Sequence, residues 1–511
     1  FPIRSANLGN LPQIGYQYIA WNQIRNYNSN GFVVSFVSNL KEATMTKPEG
    51  YSREKVAEIV SRYQEQAKAA NADRADLENE DIDIVFIMNE SFSDPDRFKD
   101  IYPYTGISDE LTPNLHRIAD MAASGSIYSP RYGGGTANIE FEALTGFSTY
   151  FLGYAYPFQS MLPVMDSFPS IARVLGDYGS ETLGLHPFGE TMYRRNAVYP
   201  ILGFDAFCGS LDFHHFRHDR GSLYISDQSA YEEVMDYLNG VRPIEAAEDA
   251  DGGSGADGGS SQNPFDSWRA GASDAADFDT GDTGDAGAAT DAPEGVDADG
   301  VDGIVDSEGA AGTEDAAGAG SKFITLITMQ NHPAYGSQYR DHSFRSTAMD
   351  NVTYDTRLKI NDYMELVHSS DEALGAFIDW AAGREKKTMV VFWGDHLPGI
   401  YDNVFFVDPA LGYETPFFIY TNFDQRSSDL GSVSPNYIST LTLDSLGAKK
   451  PAFDYLLDEL KAEVPILTAP YWEEAPPEET QAFSDYRIIE YDMMAGAGYS
   501  DDLGFFEVDR D

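Results

Sequence analysis

The 511-residue sequence holds a single cysteine, Cys208. No disulfide can form within the chain, so stability has to come from a packed core. A lone cysteine reads as a small core residue rather than a nucleophile, and its avoidance agrees with an oxidising exterior. Basic residues are also scarce: 34 Lys and Arg stand against 83 Asp and Glu, a formal net charge of −49. Nucleic-acid binding needs a basic footprint, which excludes that partner; the plain reading of the acidity is solubility. No run of about 18 apolar residues occurs, so no helix spanning a bilayer is expected within these residues, and none of them reads as a signal peptide. The chain opens on Phe1-Pro2-Ile3-Arg4 without an initiator methionine. The expectation is a piece of a longer protein whose upstream part is missing.

What is present is the composition of a globular protein, 42% hydrophobic and 13% aromatic. Ser52 to Ala70 reads as a surface helix capped by Ser52, with Glu54 and Lys55 in its first turn. Four short β-branched runs come next, each ending in polar residues. Ile82–Met88 ends at Asn89-Glu90, Glu181–Leu185 at His186, Phe323–Met329 at Asn331-His332, and Thr388–Trp393 at Asp395-His396. Helical stretches lie between them, such as Pro169–Tyr178 and Asp362–Ala382. Strands alternating with helices predict an α/β sheet, mostly parallel and covered on both faces. Ligands bind such sheets beyond the strands' carboxyl ends.

Residues 245–320 contrast with this pattern. Rich in Gly, Ala, Ser and Asp, they hold 20 acidic residues against Arg269 alone, and so carry −19 of the −49. Such a composition buries too little apolar surface to offset its ordering entropy, which predicts a disordered surface insertion. Asp297–Gly303 has the Asp-Gly flavour of a calcium loop, but Val301 occupies a ligand position. After a linker around Trp472–Pro477, Asp485–Asp492 alternates like a strand.

The residues able to do chemistry sit at the strand ends and in Gly133-Gly134-Gly135-Thr136-Ala137-Asn138-Ile139-Glu140-Phe141-Glu142. A glycine run opening into a helix places backbone N–H groups around an anion, and phosphate suits that place. Thr136 supplies a hydroxyl that becomes nucleophilic once a metal or base lowers its pKa. Glu90, Asp395 and His396 are hard or borderline ligands suited to Mn²⁺, Mg²⁺ or Zn²⁺. The sequence thus points to a metal-activated threonine enzyme acting on a phosphate ester. Arg195, in Tyr193-Arg194-Arg195-Asn196, offers a fork for phosphate oxygens, with ion pairing inside the fold as the plain alternative. His186 and His332 stand evenly between site and structure, and His332 could serve as a general acid or base. The cluster His214, His215 and His218 reads as surface.

These motifs resemble the lipoteichoic acid synthase family of phosphoglycerol transferases, within the alkaline phosphatase and sulfatase superfamily. The likeness runs through NESFSD (89–94), GGGTANIEFEALTG (133–146), Tyr193–Arg195, Asn331-His332, FWGDHLPG (392–399), TPFFIYTNF (415–423), SPNYIST (434–440) and YRIIEYDMMAGAGYS (486–500). The resemblance implies a sulfatase-like fold and the extracellular catalytic domain of a polytopic bacterial membrane protein. It implies a single divalent ion, Mn²⁺ or Mg²⁺, held by Glu90, Thr136, Asp395 and His396. It implies that His186, Tyr193, Arg195 and His332 hold glycerophosphate. Thr136 would attack phosphatidylglycerol at the membrane surface, release diacylglycerol and pass phosphoglycerol to a polyglycerolphosphate or glycolipid acceptor. Position 193 is Tyr where the best-known members have Trp.

A sulfatase activity would need Cys or Ser in a C/S-x-P-x-R context, and Cys208-Gly209-Ser210-Leu211 does not supply one. A phosphoethanolamine transferase, a phosphodiesterase and an inactive wall-binding module are the remaining rivals. The expected organisation is an amino-terminal linker and helix over 1–80, a catalytic domain over 81–400 containing the insertion, and a smaller α+β lobe over 401–511. That lobe is expected to add a second sheet, with a helix at Tyr437–Leu446.

Overall fold

A computed structural model describes Gly31 and residues 45–153, 156–219, 222–244, 320–336, 339, 341–347, 352–424, 426–472 and 476–509. The acidic segment, apart from Gly320, lies outside them, as does the Asp297–Gly303 loop. The described residues form ten strands: β1 (Ile82–Asn89), β2 (Tyr104–Gly106), β3 (Ala123–Tyr128), β4 (Glu181–Leu185), β5 (Ala206–Cys208), β6 (Lys322–Ile327), β7 (Phe344–Ser346), β8 (Lys387–Gly394), β9 (Glu414–Thr421) and β10 (Ser428–Val433). Eight of them make one sheet in the order β10-β3-β9-β8-β1-β6-β4-β5, while β2 and β7 pair separately. The block β8-β1-β6-β4-β5 is parallel throughout, and β9 runs antiparallel to both β8 and β3.

Strand alternation divides the interior into two cores. Ile82, Ile84, Phe86 and Met88 of β1 face a cluster built with the helices Arg53–Asn71, Thr136–Thr145, Ala452–Glu463 and Gln481–Met494. Val85 and Ile87 face a second cluster built with Pro113–Ala119, Asp227–Leu238 and Tyr354–Ala382. The result is a mostly parallel mixed sheet between two helical layers. The first helix starts as expected, with Ser52 Oγ accepting from the Lys55 N–H at 3.2 Å. Among the described residues no helix is long and apolar enough to cross a membrane.

Two expectations are corrected. The described chain after residue 400 builds no second sheet. The run Thr415–Thr421 is apolar and β-branched enough to pair with Met389–Trp393, and β10 then pairs with β3, so both extend the central sheet. Beyond β10 the chain is helical, and the helix Ile438–Ser445 lies within the expected Tyr437–Leu446. Residues 485–492 are not a strand but part of the helix Gln481–Met494, capped by Thr480. Its buried Ala482, Phe483, Tyr486 and Ile489 recur at helical spacing; the alternation of Tyr486, Ile488 and Glu490 concealed that period.

Two carboxyl groups are trapped between these helices. Glu142 Oε1 accepts from the Thr149 N–H (2.6 Å) and hydroxyl (2.7 Å), while Glu142 Oε2 and both oxygens of Glu490 are buried without hydrogen-bond partners. Burial pushes Glu142 up to about 7, against the Thr149 hydrogen bonds and the charge of Arg131. Burial, reinforced by the charge of Glu142, raises Glu490 well above the carboxylate range. A carboxyl whose folded pKa exceeds its unfolded value keeps its proton longer in the fold, so stability falls as pH rises between the two values. From 4.5 to about 7 the Glu142 contribution is about 3 kcal/mol. Glu142→Gln keeps the acceptor for Thr149 and removes the titration. Thermal melts at pH 5 and pH 8 should show the variant matching the wild type at the lower pH and exceeding it at the higher. Parallel curves would refute the assignment.

Candidate active site

β8, β1, β6 and β4 lie side by side, so their carboxyl ends share one edge of the sheet. Glu90 follows β1, Asp395 and His396 follow β8, His186 follows β4, and His332 lies just beyond β6. The β1 and β8 ends approach closely: a Cβ at Gly394 would lie 2.0 Å from the Phe92 carbonyl oxygen, so only glycine fits there. Ser91 takes φ 51°, a left-handed conformation costly for a residue with a side chain. That turn aims the Ser91 N–H at Asp395 Oδ1 (2.7 Å) and its hydroxyl at Glu90 Oε1 (2.9 Å), tying two acids from different strands together.

Glu90, Asp395 and His396 are all buried, and each places one ligand atom within 4.8 Å of the other two. His396 Nδ1 lies 3.1 Å from the Leu397 carbonyl, and Nε2 lies 3.3 Å from Asp395 Oδ2 and 3.9 Å from Glu90 Oε1. A carbonyl only accepts, so Nδ1 donates to it and Nε2 is the nitrogen that faces the two acids. Burial and the neighbouring Glu90 charge push Asp395 up to about 7. Burial raises Glu90 too, but the charges of His332 and His396 and hydrogen bonds from Ser91 and Thr136 more than offset it and hold Glu90 low. Two buried acids beside an imidazole are the donor set a divalent cation neutralises, so the residues fit such an ion. Among the described residues one other metal-like group occurs, Asp94, Asp96 and His116. There the Asp94 hydrogen bond pushes His116 up to about 9, so an ion pair already balances the acids.

Thr136 begins the helix Thr136–Thr145, and the three glycines before it all have positive φ. Its hydroxyl donates to Glu90 Oε2 at 3.2 Å, which places it beside the acid cluster and at a helix N-terminus.

The expected head-group residues gather next to this cluster but differ in state. His186 Nδ1 lies 3.1 Å from the Ile327 carbonyl and so donates to it. His186 Nε2 is buried without a hydrogen-bond partner, and burial together with the Arg195 charge keeps the ring neutral. His332 Nδ1 lies 2.6 Å from the Pro333 carbonyl, to which it donates, and 3.0 Å from the Tyr224 hydroxyl. Tyr193 takes φ 54° and lies with its ring 5.2 Å from the Arg195 guanidinium. Arg195 is 1% exposed and already engaged: Nε and Nη2 donate to Glu140 at 2.7–3.1 Å. Of the two roles read for Arg195, the structure shows the ion pair, with the Nε edge turned to Glu140. Arg194 donates to the Gln159 carbonyl at 3.3 Å. His215 pairs with Glu232 and Asp236, and His214 and His218 are exposed, as a surface cluster should be.

The sequence reading missed Ser91, Glu140, Tyr199, Tyr224 and Asp227. Glu140 carried a signal, since it follows Thr136 by four positions and so shares its helix face. Tyr199 donates to Glu140 at 2.7 Å from the turn after Arg195. Tyr224 stands edge-on to His332 (5.2 Å) and Phe188 (5.9 Å) and had no local signal.

The sulfatase family model matches residues 82–250 and 260–448, well over half of the chain. The chain belongs to the sulfatase family. This sulfatase-family chain is 24% identical, over 516 residues, to a protein of Rhizobium meliloti (strain 1021) named for cyclic beta-1,2-glucan modification. The match covers 95% of the chain and 65% of the relative, so the chain spans less than two thirds of that protein's length. Among solved structures, the Streptococcus pyogenes phosphoglycerol transferase GacH in complex with sn-glycerol-1-phosphate is similar at a TM-score of 0.66 and 23% identity, covering 91% of this chain and 100% of that one. A protein in the alkaline phosphatase superfamily from Vibrio parahaemolyticus gives a TM-score of 0.50 at 13% identity, covering 89% and 97%. Position 136 of this sulfatase-family chain is threonine.

Proposed function

We propose that this chain is a metal-dependent phosphoglycerol transferase that uses Thr136 as nucleophile and phosphatidylglycerol as donor. The observation that carries the reading is the Thr136 hydroxyl, hydrogen-bonded to Glu90 at a helix N-terminus beside Asp395 and His396. Glu90, Thr136, Asp395 and His396 would hold one divalent ion, Mn²⁺ or Mg²⁺. Such an ion lowers the hydroxyl's pKa and neutralises charge on phosphoryl oxygens.

The chain's own residues define the rest. Thr136 Oγ1 bonds to phosphorus as the bond to the diacylglycerol oxygen breaks, and that oxygen leaves with the electron pair and takes up a proton. An acceptor hydroxyl then bonds to phosphorus, the Thr136 ester bond breaks, and the threonine oxygen regains a proton. The backbone N–H groups at the helix start face the phosphoryl oxygens. His186 Nε2 is an acceptor set to receive a hydrogen bond from a hydroxyl, and a glycerol head group carries two. Two sequential displacements at one threonine give ping-pong kinetics.

The acceptor is a hydroxyl of a glycan, a glycolipid or a polyglycerolphosphate chain. The Rhizobium meliloti relative, named for glucan modification, supports a glycan. A lipid donor places the enzyme on the outer face of a bacterial cell membrane. The test is release of diacylglycerol from fluorescent phosphatidylglycerol, with phosphatidylethanolamine in parallel, each with Mn²⁺, Mg²⁺ or EDTA. Metal-dependent turnover of phosphatidylglycerol is expected, with phosphatidylethanolamine slower by at least about tenfold. Preference for phosphatidylethanolamine, or turnover unaffected by EDTA, would sink the reading.

A further inference from the structure

Directly beneath the site lies a buried polar cage that the reaction does not use. Asn89 closes β1 one residue before Glu90, and strand alternation sends its side chain to the opposite face. Asn331 stands one residue before His332. The two amides meet: Asn331 Nδ2 donates to Asn89 Oδ1 at 3.0 Å. Both are 0% exposed. Asn89 Nδ2 donates to Asp227 Oδ2 at 2.7 Å, with the Tyr231 hydroxyl at 3.2 Å and Ser370 Oγ at 3.3 Å. Asn331 Nδ2 reaches the same Ser370 Oγ at 3.3 Å, and the Ser370 hydroxyl donates to Asp227 Oδ2.

Asp227, also 0% exposed, is therefore the acceptor on which both amides converge, one directly and one through Ser370. It is fixed in turn by its own N–H, which donates to Gln330 Oε1 at 2.8 Å, and by Ser226, which caps the helix Asp227–Leu238. Tyr224, three residues upstream, holds the His332 ring from the side. One short segment, 224–231, thus braces both the candidate metal ligand Glu90 and the candidate head-group ligand His332.

We propose that Asp227 is the positioning residue of this site, setting Glu90 through Asn89 and His332 through Ser370 and Asn331. The inference rests on the roles given above to Glu90 and His332. Its two arms have different readouts. The Asn89 arm ends on a metal ligand and governs metal affinity together with kcat. The Asn331 arm ends on a substrate-facing histidine and governs KM for the lipid.

The test compares purified wild type, Asp227→Ala, Asp227→Asn and Asn331→Ala by Mn²⁺ calorimetry, thermal melting and phosphatidylglycerol kinetics. Loss of an outer partner of a metal ligand typically costs 10–100-fold, so Asp227→Ala should weaken Mn²⁺ binding about tenfold and lower kcat about thirtyfold. Asp227→Asn retains an acceptor for Asn89 and should stay within about threefold of wild type in both. Asn331→Ala should raise KM about tenfold and weaken Mn²⁺ binding less than Asp227→Ala does, because it removes one bond to Asn89 but leaves Asn89 held by Asp227. Mn²⁺ affinity and kcat of Asp227→Ala within threefold of wild type would overturn the proposal, as would an Asn variant as impaired as the Ala one. Should Asp227→Ala fail to fold, Asn331→Ala decides: a rise in KM larger than the change in Mn²⁺ affinity supports the two-arm scheme, and any other pattern removes it. The calorimetry needs no lipid. A wild type that binds Mn²⁺ without turning over phosphatidylglycerol would count against the donor assignment, while the Mn²⁺ comparison would still judge Asp227.

Discussion

Thr136→Ala should abolish diacylglycerol release, lowering turnover by at least about four orders of magnitude, because removal of a covalent nucleophile takes away the reaction path itself. The same variant should bind Mn²⁺ within about tenfold of wild type, since Glu90, Asp395 and His396 remain within 4.8 Å of one another. That separation is the informative part: chemistry lost, metal retained. Thr136→Ser restores a hydroxyl at the same helix position and should recover part of the activity. Wild type incubated with donor and no acceptor should carry a phosphoglycerol adduct, and peptide mass spectrometry should locate it on Thr136. Turnover by Thr136→Ala above a tenth of wild type would rule out the threonine ester.

Glu140→Ala should be the most destabilising single change near the site. Arg195 and Glu140 are each 1% exposed and joined by three contacts of 2.7–3.1 Å, and Tyr199 adds a fourth to Glu140 at 2.7 Å. Removing one partner of a buried pair leaves the other charge without compensation, which costs about 3–5 kcal/mol. The buried pair is not thereby a large net stabiliser, because its desolvation nearly cancels its attraction. The double variant Glu140→Leu with Arg195→Met should therefore recover most of the stability lost in Glu140→Ala. Its donor binding should stay impaired, because Arg195 borders His186 and helps keep that ring neutral. Urea titration reads the first quantity and KM the second. A loss below about 1 kcal/mol in Glu140→Ala would mean that water reaches Arg195 and the pair is not buried in solution.

Much of this was legible in the sequence because the site is built from strand ends. The four apolar runs singled out by their polar endings are β1, β4, β6 and β8, and these are four adjacent parallel strands. Buried parallel strands read as continuous apolar runs, and their ends converge by construction. Thr136 was marked by glycines whose positive φ the structure requires. The ion pair of Arg195 was harder to see, since Glu140 sits 55 residues away in sequence. Asp227 was invisible, since a single acid at the start of a helix ordinarily signals only a favourable helix dipole. The carboxyl-terminal region misled because Thr415–Thr421 looks the same whether it founds a second sheet or joins the first. Only the tertiary partner, β8, decides between them.

The strand order also governs when the candidate site comes into being. β1 lies early in the chain, yet both its neighbours come late: Ile84 is flanked by Phe323 of β6 and Met389 of β8. During synthesis β1 therefore leaves the ribosome long before either edge can be paired. Loop-closure entropy has to be met before such non-local pairing is rewarded, so assembly is slow, and an unpaired apolar strand is exposed to aggregation meanwhile. Glu90 and Thr136 can acquire Asp395 and His396 only after the eighth strand has been made. A nascent chain stalled before residue 387 should accordingly lack the candidate metal site altogether, so the proposed activity arrives with the closing of the sheet and not before.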